Sequence, residues 1–187
     1  FFISFMFPFL DDLPPFIKFD ELISDPEKDR IMRFYRSCIQ RHLFANQQGL
    51  HFVSKSPASS AKIRSLLNTF PDARIVYLAR DPLEMLPSTV SWLSYAWNMF
   101  SDTGRKYMYQ QQVKELALYW YLYPLQVIDE VQNNCLVINY DDMVEKPEMI
   151  IKHLYVHLGY DASPGLRKTI KRAVEETQSY ISDHAYD

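Results

Sequence analysis

Cysteine is nearly absent from this sequence. Cys38 and Cys135 are its only two. They are far apart and lack a CxxC or metal spacing, which excludes both a disulfide framework and a structural zinc site. Cys135 falls in an apolar run and reads as a small core residue. Glycine is scarce too: the four, Gly49, Gly104, Gly159 and Gly165, open "GLHF", "GRKY", "GYDA" and "GLRK". None of these contexts makes a glycine-rich loop that cradles a phosphate. Neither sign of charge dominates. A formal net charge of −3 leaves no global basic field for nucleic acid or an anionic membrane, so any anion site must be local. Internal repeats and low-complexity tracts are missing as well.

What is present is apolar and alternating. Hydrophobic residues make up 48% of the 187, enough for a core of its own, and the length suits one domain covering residues 1–187. The opening "FFISFMFPFL" is too short to span a bilayer, has no basic flank or cleavage site, and reads as the cut edge of a longer chain. "DPEKDRIMRFYRSCIQRHLFANQQG" predicts an amphipathic helix. Its Asp-Pro start is acidic, its apolar positions are Ile31, Phe34, Tyr35, Cys38, Ile39 and Leu43, and Gly49 is its stop. "LHFVSK", "RIVYLA" and "CLVINY" read as strands. "SSAKIRSLLNTF" reads as a helix, and so does "PLEMLPSTVSWLSYAWNMF", whose Pro87 is expected to bend it or delay its regular part. A long helix is expected from about Tyr107 to Val131, kinked or divided at Pro124. "PEMIIKHLYVHLGY" should end at Gly159, and "PGLRKTIKRAVEETQSYI" should be a charged, solvated helix.

Strands that alternate with helices imply an α/β fold, with a central parallel sheet between helical layers. Ligands of such sheets bind outside the carboxyl ends of the strands. Three ends carry polar groups: Lys55 after "HFVS", Arg80 after "RIVYLA" and Tyr140 after "CLVIN". An arginine there, followed at once by a helix start, is a way to hold an anion. On the residues alone an ordinary alternative stands beside this: Asp81 caps the helix, Arg80 pairs with a carboxylate and Ser88 faces solvent.

Taken together, "SKSPASSAKI", "FPDARIVYLARDPLEMLPS" and "LVINYDDMVEKPEMIIKHLYVHLGY" resemble the sulfotransferase superfamily. The closest pattern is the broad family reading Lys-Ser-Pro, Phe-Pro-Asp-Ala-Arg, Arg-Asp-Pro, Ser and Tyr-Glu-Asp-Met/Leu. The likeness covers roughly residues 52–160 and implies a three-layer α/β/α sheet of P-loop-NTPase-like kind. It also implies transfer of a sulfuryl group from 3′-phosphoadenosine 5′-phosphosulfate (PAPS) to a hydroxyl or amine. In the family the strand-end arginine and a serine eight positions later grip the 3′-phosphate, here Arg80 and Ser88. By the same resemblance Tyr140 contacts the adenosine, and Lys55 lies near the sulfuryl group as the catalytic residue. Asp141 stands where the family usually has Glu, and Asp141 and Asp142 are expected to cap or pair rather than catalyse. Ser56, Ser59 and Ser60 are supplementary donors or helix-start residues.

The family's 5′-phosphosulfate loop, a Pro-Arg-Ser-Gly-Thr-Thr-like segment, does not occur in the sequence, so the resemblance implies a domain truncated at its amino end. No histidine follows Lys55, which places the expected base upstream of Phe1. His42 and His51 are weak candidates for it. His153 and His157 share a helix face but lack a third ligand, so no metal is expected. "TGRKYM" offers Arg105 and Lys106 to the nucleotide, and the aromatic runs "FFISFMFPFLDDLPPFIKF" and "SWLSYAWNMF" suit either an acceptor pocket or core packing. A kinase-like phosphate-binding protein and a non-catalytic module of the same fold are the alternatives. Expected partners are the nucleotide donor and a carbohydrate, lipid, small alcohol or peptide acceptor, with no nucleic acid. The low cysteine content leans towards the cytoplasm, with the Golgi lumen as the alternative if an anchor lies upstream.

Overall fold

Prolines and acidic first turns set where many of the helices begin. The computed structural model describes residues 14–46, 51–100, 109–161 and 163–178. In chain order these form α1 (Pro14–Ile17), α2 (Phe19–Leu22), α3 (Asp25–Ala45), a 3-10 helix (Pro57–Lys62), α4 (Ile63–Thr69), β1 (Ile75–Ala79) and α5 (Pro82–Phe100). They continue with α6 (Gln110–Ile128), a short 3-10 turn (Gln132–Asn134), β2 (Cys135–Asn139), α7 (Tyr140–Glu145), α8 (Pro147–Leu158) and α9 (Pro164–Gln178). The residues group into two compact units. Of the described residues, one takes in those within Phe1–Ala73 and Thr89–Glu130, the other those within Arg74–Ser88 and Val131–Asp187.

The core of the first unit is built from Phe19, Ile23, Met32, Ala58, Ala61, Leu116 and Trp120. Ala58 and Ala61 are small, and both are buried, which lets the 3-10 helix lie close against α6. Trp120 is buried and its indole N–H donates to the Ile17 carbonyl at 2.9 Å, so a large ring is sheltered without an orphaned donor. α3 begins as expected but presents less of its apolar stripe to the core. Met32 is its buried residue, Cys38 is exposed and Phe34 keeps 67% of its surface in solvent.

α6 is not divided at Pro124. The helix runs on to Ile128 with Pro124 and Tyr123 fully buried, and that packing offsets the backbone hydrogen bond the ring forfeits. α5 likewise runs on past Pro87. The stretch "LHFVSK" departs from expectation, because residues 51–56 are not in a strand. A β-rich hexamer becomes a strand only with a ladder partner, and the described sheet has two strands, β1 and β2.

A polar network ties the start of α4 to α2 and α6. The Asp20 carboxylate accepts the backbone N–H of Arg64 at 3.0 Å and of Ser65 at 3.2 Å, the Tyr123 hydroxyl at 2.9 Å, and the Ser65 hydroxyl. These N–H groups belong to the first turn of α4, where no intrahelical acceptor exists and a carboxylate suits the helix dipole. Arg64 extends the network. Its Nη1 donates to the Tyr123 hydroxyl at 3.0 Å, and its Nε and Nη2 reach the two Glu130 oxygens at 2.9 and 2.6 Å. Hydrogen bonding to Arg64 holds the Glu130 carboxyl below its usual range. Burial pushes the Tyr119 and Tyr123 phenols well up, with nearby carboxylates adding to it. Burial also pushes the Lys62 ammonium down to about 8, against an opposing pull from Asp20.

In the second unit β1 and β2 pair in parallel, from Ile75 opposite Cys135 to Ala79 opposite Asn139. Parallel pairing was the sequence expectation, and the apolar runs that carried it are the two strands. Ile138 is buried, and burial raises the Cys135 thiol's pKa. α8 packs on β2, and α9 on α8. α8 stops at Gly159, whose φ of +74° supplies the left-handed turn that ends it. α9 is charged and largely exposed except at Val174.

Candidate functional site

The in-register pairing of β1 and β2 determines what stands at their carboxyl ends. Ala79 and Asn139 are the last rung, so Arg80 and Tyr140 leave the sheet side by side. The Arg80 guanidinium carbon lies over the Tyr140 ring, 4.7 Å from its centre, a cation–π contact. Helices begin directly after both residues. Asp81 caps α5, its Oδ1 accepting the Leu83 N–H at 2.8 Å. Asn139 caps α7, its Oδ1 accepting the Asp141 N–H at 2.8 Å. These short side chains recruit the first-turn donors and fix the backbone on either side of the Arg80–Tyr140 pair.

Glu84, in the first turn of α5, meets the same guanidinium. Its Oε2 lies 3.3 Å from Arg80 Nε and 3.2 Å from Nη2. One carboxylate oxygen thus bridges the edge of the fork at the long end of hydrogen-bond range. Both members are accessible, with 31% of the Arg80 side chain and 58% of Glu84 exposed. Ser88 is half-buried one helical turn beyond Glu84, on the same face. The ordinary reading of this stretch is therefore realised in two details, a capping Asp81 and a carboxylate on Arg80. The two carboxylates offset the charge of Arg80 and the helix dipole, so an anion that binds at the guanidinium must displace Glu84 from it.

Of the residues expected at the site, Arg80, Ser88 and Tyr140 lie in the second unit. Lys55 belongs to the first, where it is exposed in the segment 51–56 rather than at a strand end. Ser56 accepts the Ser59 N–H through its carbonyl at 3.0 Å, and Ser59 and Ser60 are half-buried in the 3-10 helix, as helix-start residues. Asp142 pairs loosely with Lys146 at 3.6 Å. His51 is exposed outside any strand. His42 projects from α3 and meets the Phe52 ring edge-on at 5.7 Å. His153 is exposed and His157 half-buried on α8. No group of three or more His, Cys, Asp or Glu residues suited to a metal occurs among the described residues. The segment "TGRKYM", the run 1–13 and the side chains of residues 93–100 lie outside the described residues. The sequence reading passed over Glu84, although an acidic residue four positions after an arginine at a helix start was the signal for it.

The two parallel strands and the helices that follow them make this an α/β protein, with a guanidinium and an aromatic ring together at the strand ends. The sequence profile of the sulfotransferase family matches residues 17–164, and the chain belongs to that family. Among curated proteins it is similar to the omega-hydroxy-beta-dihydromenaquinone-9 sulfotransferases of Mycobacterium bovis and Mycobacterium tuberculosis. It is 26% identical to each over 163 residues, which is 78% of this chain and 38% of theirs. The chain thus spans well under half the length of these relatives. No solved structure matches it. No helix of the described residues is long and apolar enough to cross a membrane.

Proposed function

We propose that this chain is part of a PAPS-dependent sulfotransferase, with Arg80 and Ser88 holding the donor's 3′-phosphate and Tyr140 contacting its adenosine. The observation that carries this reading is the Arg80–Tyr140 pair, a phosphate-matching fork and an aromatic face emerging together from two parallel strand ends. A planar guanidinium suits a phosphate dianion better than an ammonium would, and the capped start of α5 adds its dipole. Lys55 takes the role of stabilising charge on the transferred group, and the three-layer sheet of the family's P-loop-like fold belongs to the same reading. The reaction breaks the S–O bond to the bridging phosphate oxygen and forms a new bond from sulfur to the acceptor. The acceptor's proton passes to a base, and the donor leaves as the 3′,5′-bisphosphate. The names of the mycobacterial relatives point to a hydroxyl acceptor on an apolar molecule, and we extend that class, a hydroxyl, to this chain.

Calorimetric titration of 3′-phosphoadenosine 5′-phosphate tests the donor site, with 5′-AMP and Arg80→Ala as controls. Binding that requires both the 3′-phosphate and Arg80 is the expected result. Equal affinity for the two nucleotides, or binding indifferent to Arg80, overturns the assignment.

A further inference from the structure

We infer that Glu84 is an internal stand-in for the ligand's phosphate: it occupies the Nε–Nη2 edge of Arg80 in the free protein, gives way when a phosphate binds, and thereby sets the affinity of the site. The inference rests on the assignment of Arg80 as a phosphate-binding residue. Its own basis is the geometry of the pair. A phosphate gripped bidentately by a guanidinium puts two oxygens along one edge of the fork. Glu84 places a single oxygen there, equidistant from Nε and Nη2 at 3.3 and 3.2 Å. That is the position of the incoming group with half of its contacts.

Three features make the carboxylate exchangeable rather than fixed. Its bonds are long and shared by one oxygen, where charge-assisted pairs favour 2.7–2.9 Å. Its side chain is 58% exposed, so its release into water carries little desolvation cost. It also sits in the first turn of α5, where a carboxylate swung away from Arg80 remains favourably placed on the helix dipole. The guanidinium also stands over the ring of Tyr140 while its Nε–Nη2 edge meets Glu84, so Arg80 keeps one contact that survives the exchange. Glu84 thus acts as a specificity-determining residue. A ligand with a dianionic phosphate outcompetes it, and a singly charged carboxylate or sulfate ester competes poorly.

The test uses Glu84→Gln, which keeps size and helix position and removes the charge, beside Arg80→Ala. Two measurements are made on each. The first is site-resolved modification of Arg80 by phenylglyoxal, read by peptide mass mapping, with and without inorganic phosphate. The second is affinity for 3′-phosphoadenosine 5′-phosphate against 5′-AMP. Glu84→Gln should speed modification of Arg80 and lower the phosphate concentration that protects it. It should also tighten binding of the bisphosphate by about two- to fivefold, in keeping with a solvent-exposed ion pair. Slower or unchanged modification overturns the inference and makes Glu84 an orienting partner or a bystander, and so does bisphosphate affinity left unchanged or weakened where the 3′-phosphate contributes to binding in the unsubstituted protein. Phosphate that fails to protect Arg80 in both proteins overturns it as well. If phosphate protects Arg80 more readily in Glu84→Gln while the 3′-phosphate adds nothing to nucleotide binding, the inference stands and the donor assignment falls.

Discussion

Arg64 and Arg80 each meet a glutamate and the face of a tyrosine, but they are held in opposite ways. Arg64 forks onto both oxygens of Glu130 at 2.9 and 2.6 Å, bonds the Tyr123 hydroxyl, and lies 5.6 Å from the centre of that ring. Its partners stand 59 and 66 residues away in the sequence. Arg80 finds its carboxylate four residues on, through one oxygen and at 3.2 to 3.3 Å. Exposure does not separate them, since 44% of the Arg64 side chain is accessible against 31% of Arg80. What separates them is what they fasten. Arg64 closes a network that includes the buried Ser65 and Tyr123 and joins helices distant in the chain, so its loss opens a fold. The carboxylate that Arg80 holds is a local one, met through a single oxygen, and can be exchanged for another anion.

The largest effect that would confirm this contrast is at Asp20. Replacing Asp20 by Ala removes the acceptor of the Ser65 N–H and hydroxyl and of the Tyr123 hydroxyl. It should cost about 3 kcal/mol of stability in urea denaturation, because buried donors are left unpaired. Arg80→Ala should leave stability within about 0.5 kcal/mol and reduce affinity for the 3′,5′-bisphosphate by about a hundredfold, as expected for a charge-assisted bidentate contact. A stability loss at Arg80 equal to that at Asp20 would erase the distinction between the two sites.

The third prediction concerns pH. Lys62 titrates at about 8 in the fold against an ordinary 10.5, so below pH 8 the folded state carries the full penalty of a buried ammonium. Between these values the unfolded chain binds the extra proton, and stability rises with pH, by about 2 kcal/mol from pH 7.5 to 9.5. Above pH 10 the raised phenols of Tyr119 and Tyr123 reverse the trend, since the unfolded state then sheds protons that the fold retains. Lys62→Met should flatten the rise and leave the fall. Thermal melts across this range check both limbs. The smallest effect belongs to the second unit: Gly159→Ala should cost about 1 kcal/mol. A Cβ there meets nothing within 4 Å, and the penalty is that of the left-handed backbone alone.

The parts of this molecule that were legible in the sequence were those settled by short-range chemistry. "RIVYLA" and "CLVINY" are apolar runs that find each other as ladder partners, Gly159 ends its helix locally, and Asp81 caps the turn beside Arg80. Arg80 and Tyr140 were placed at strand ends by the same signals. "LHFVSK" has strand composition, yet pairing is a property of two segments and no ladder forms at residues 51–56. Pro124 was read as a kink or a division, and the division does not occur, because propensity counts the lost hydrogen bond and not the burial gained. The Asp20 network was invisible for the same reason, since Tyr123 stands 103 residues away. No periodicity marks a carboxylate that will cap a helix 44 to 45 residues further on.

The parallel register itself, Ile75 opposite Cys135 through Ala79 opposite Asn139, has a consequence for evolution of the site. Two residues meet at the strand ends because the rungs beneath them count alike on both sides. A slip of a single residue would turn Tyr140 to the opposite face while leaving every side chain in place chemically. In the donor-site reading proposed above, the rungs at Ile75 and Cys135, five positions from Arg80 and Tyr140, therefore matter to recognition through register alone. A packing change there is read out as a loss of alignment between fork and ring.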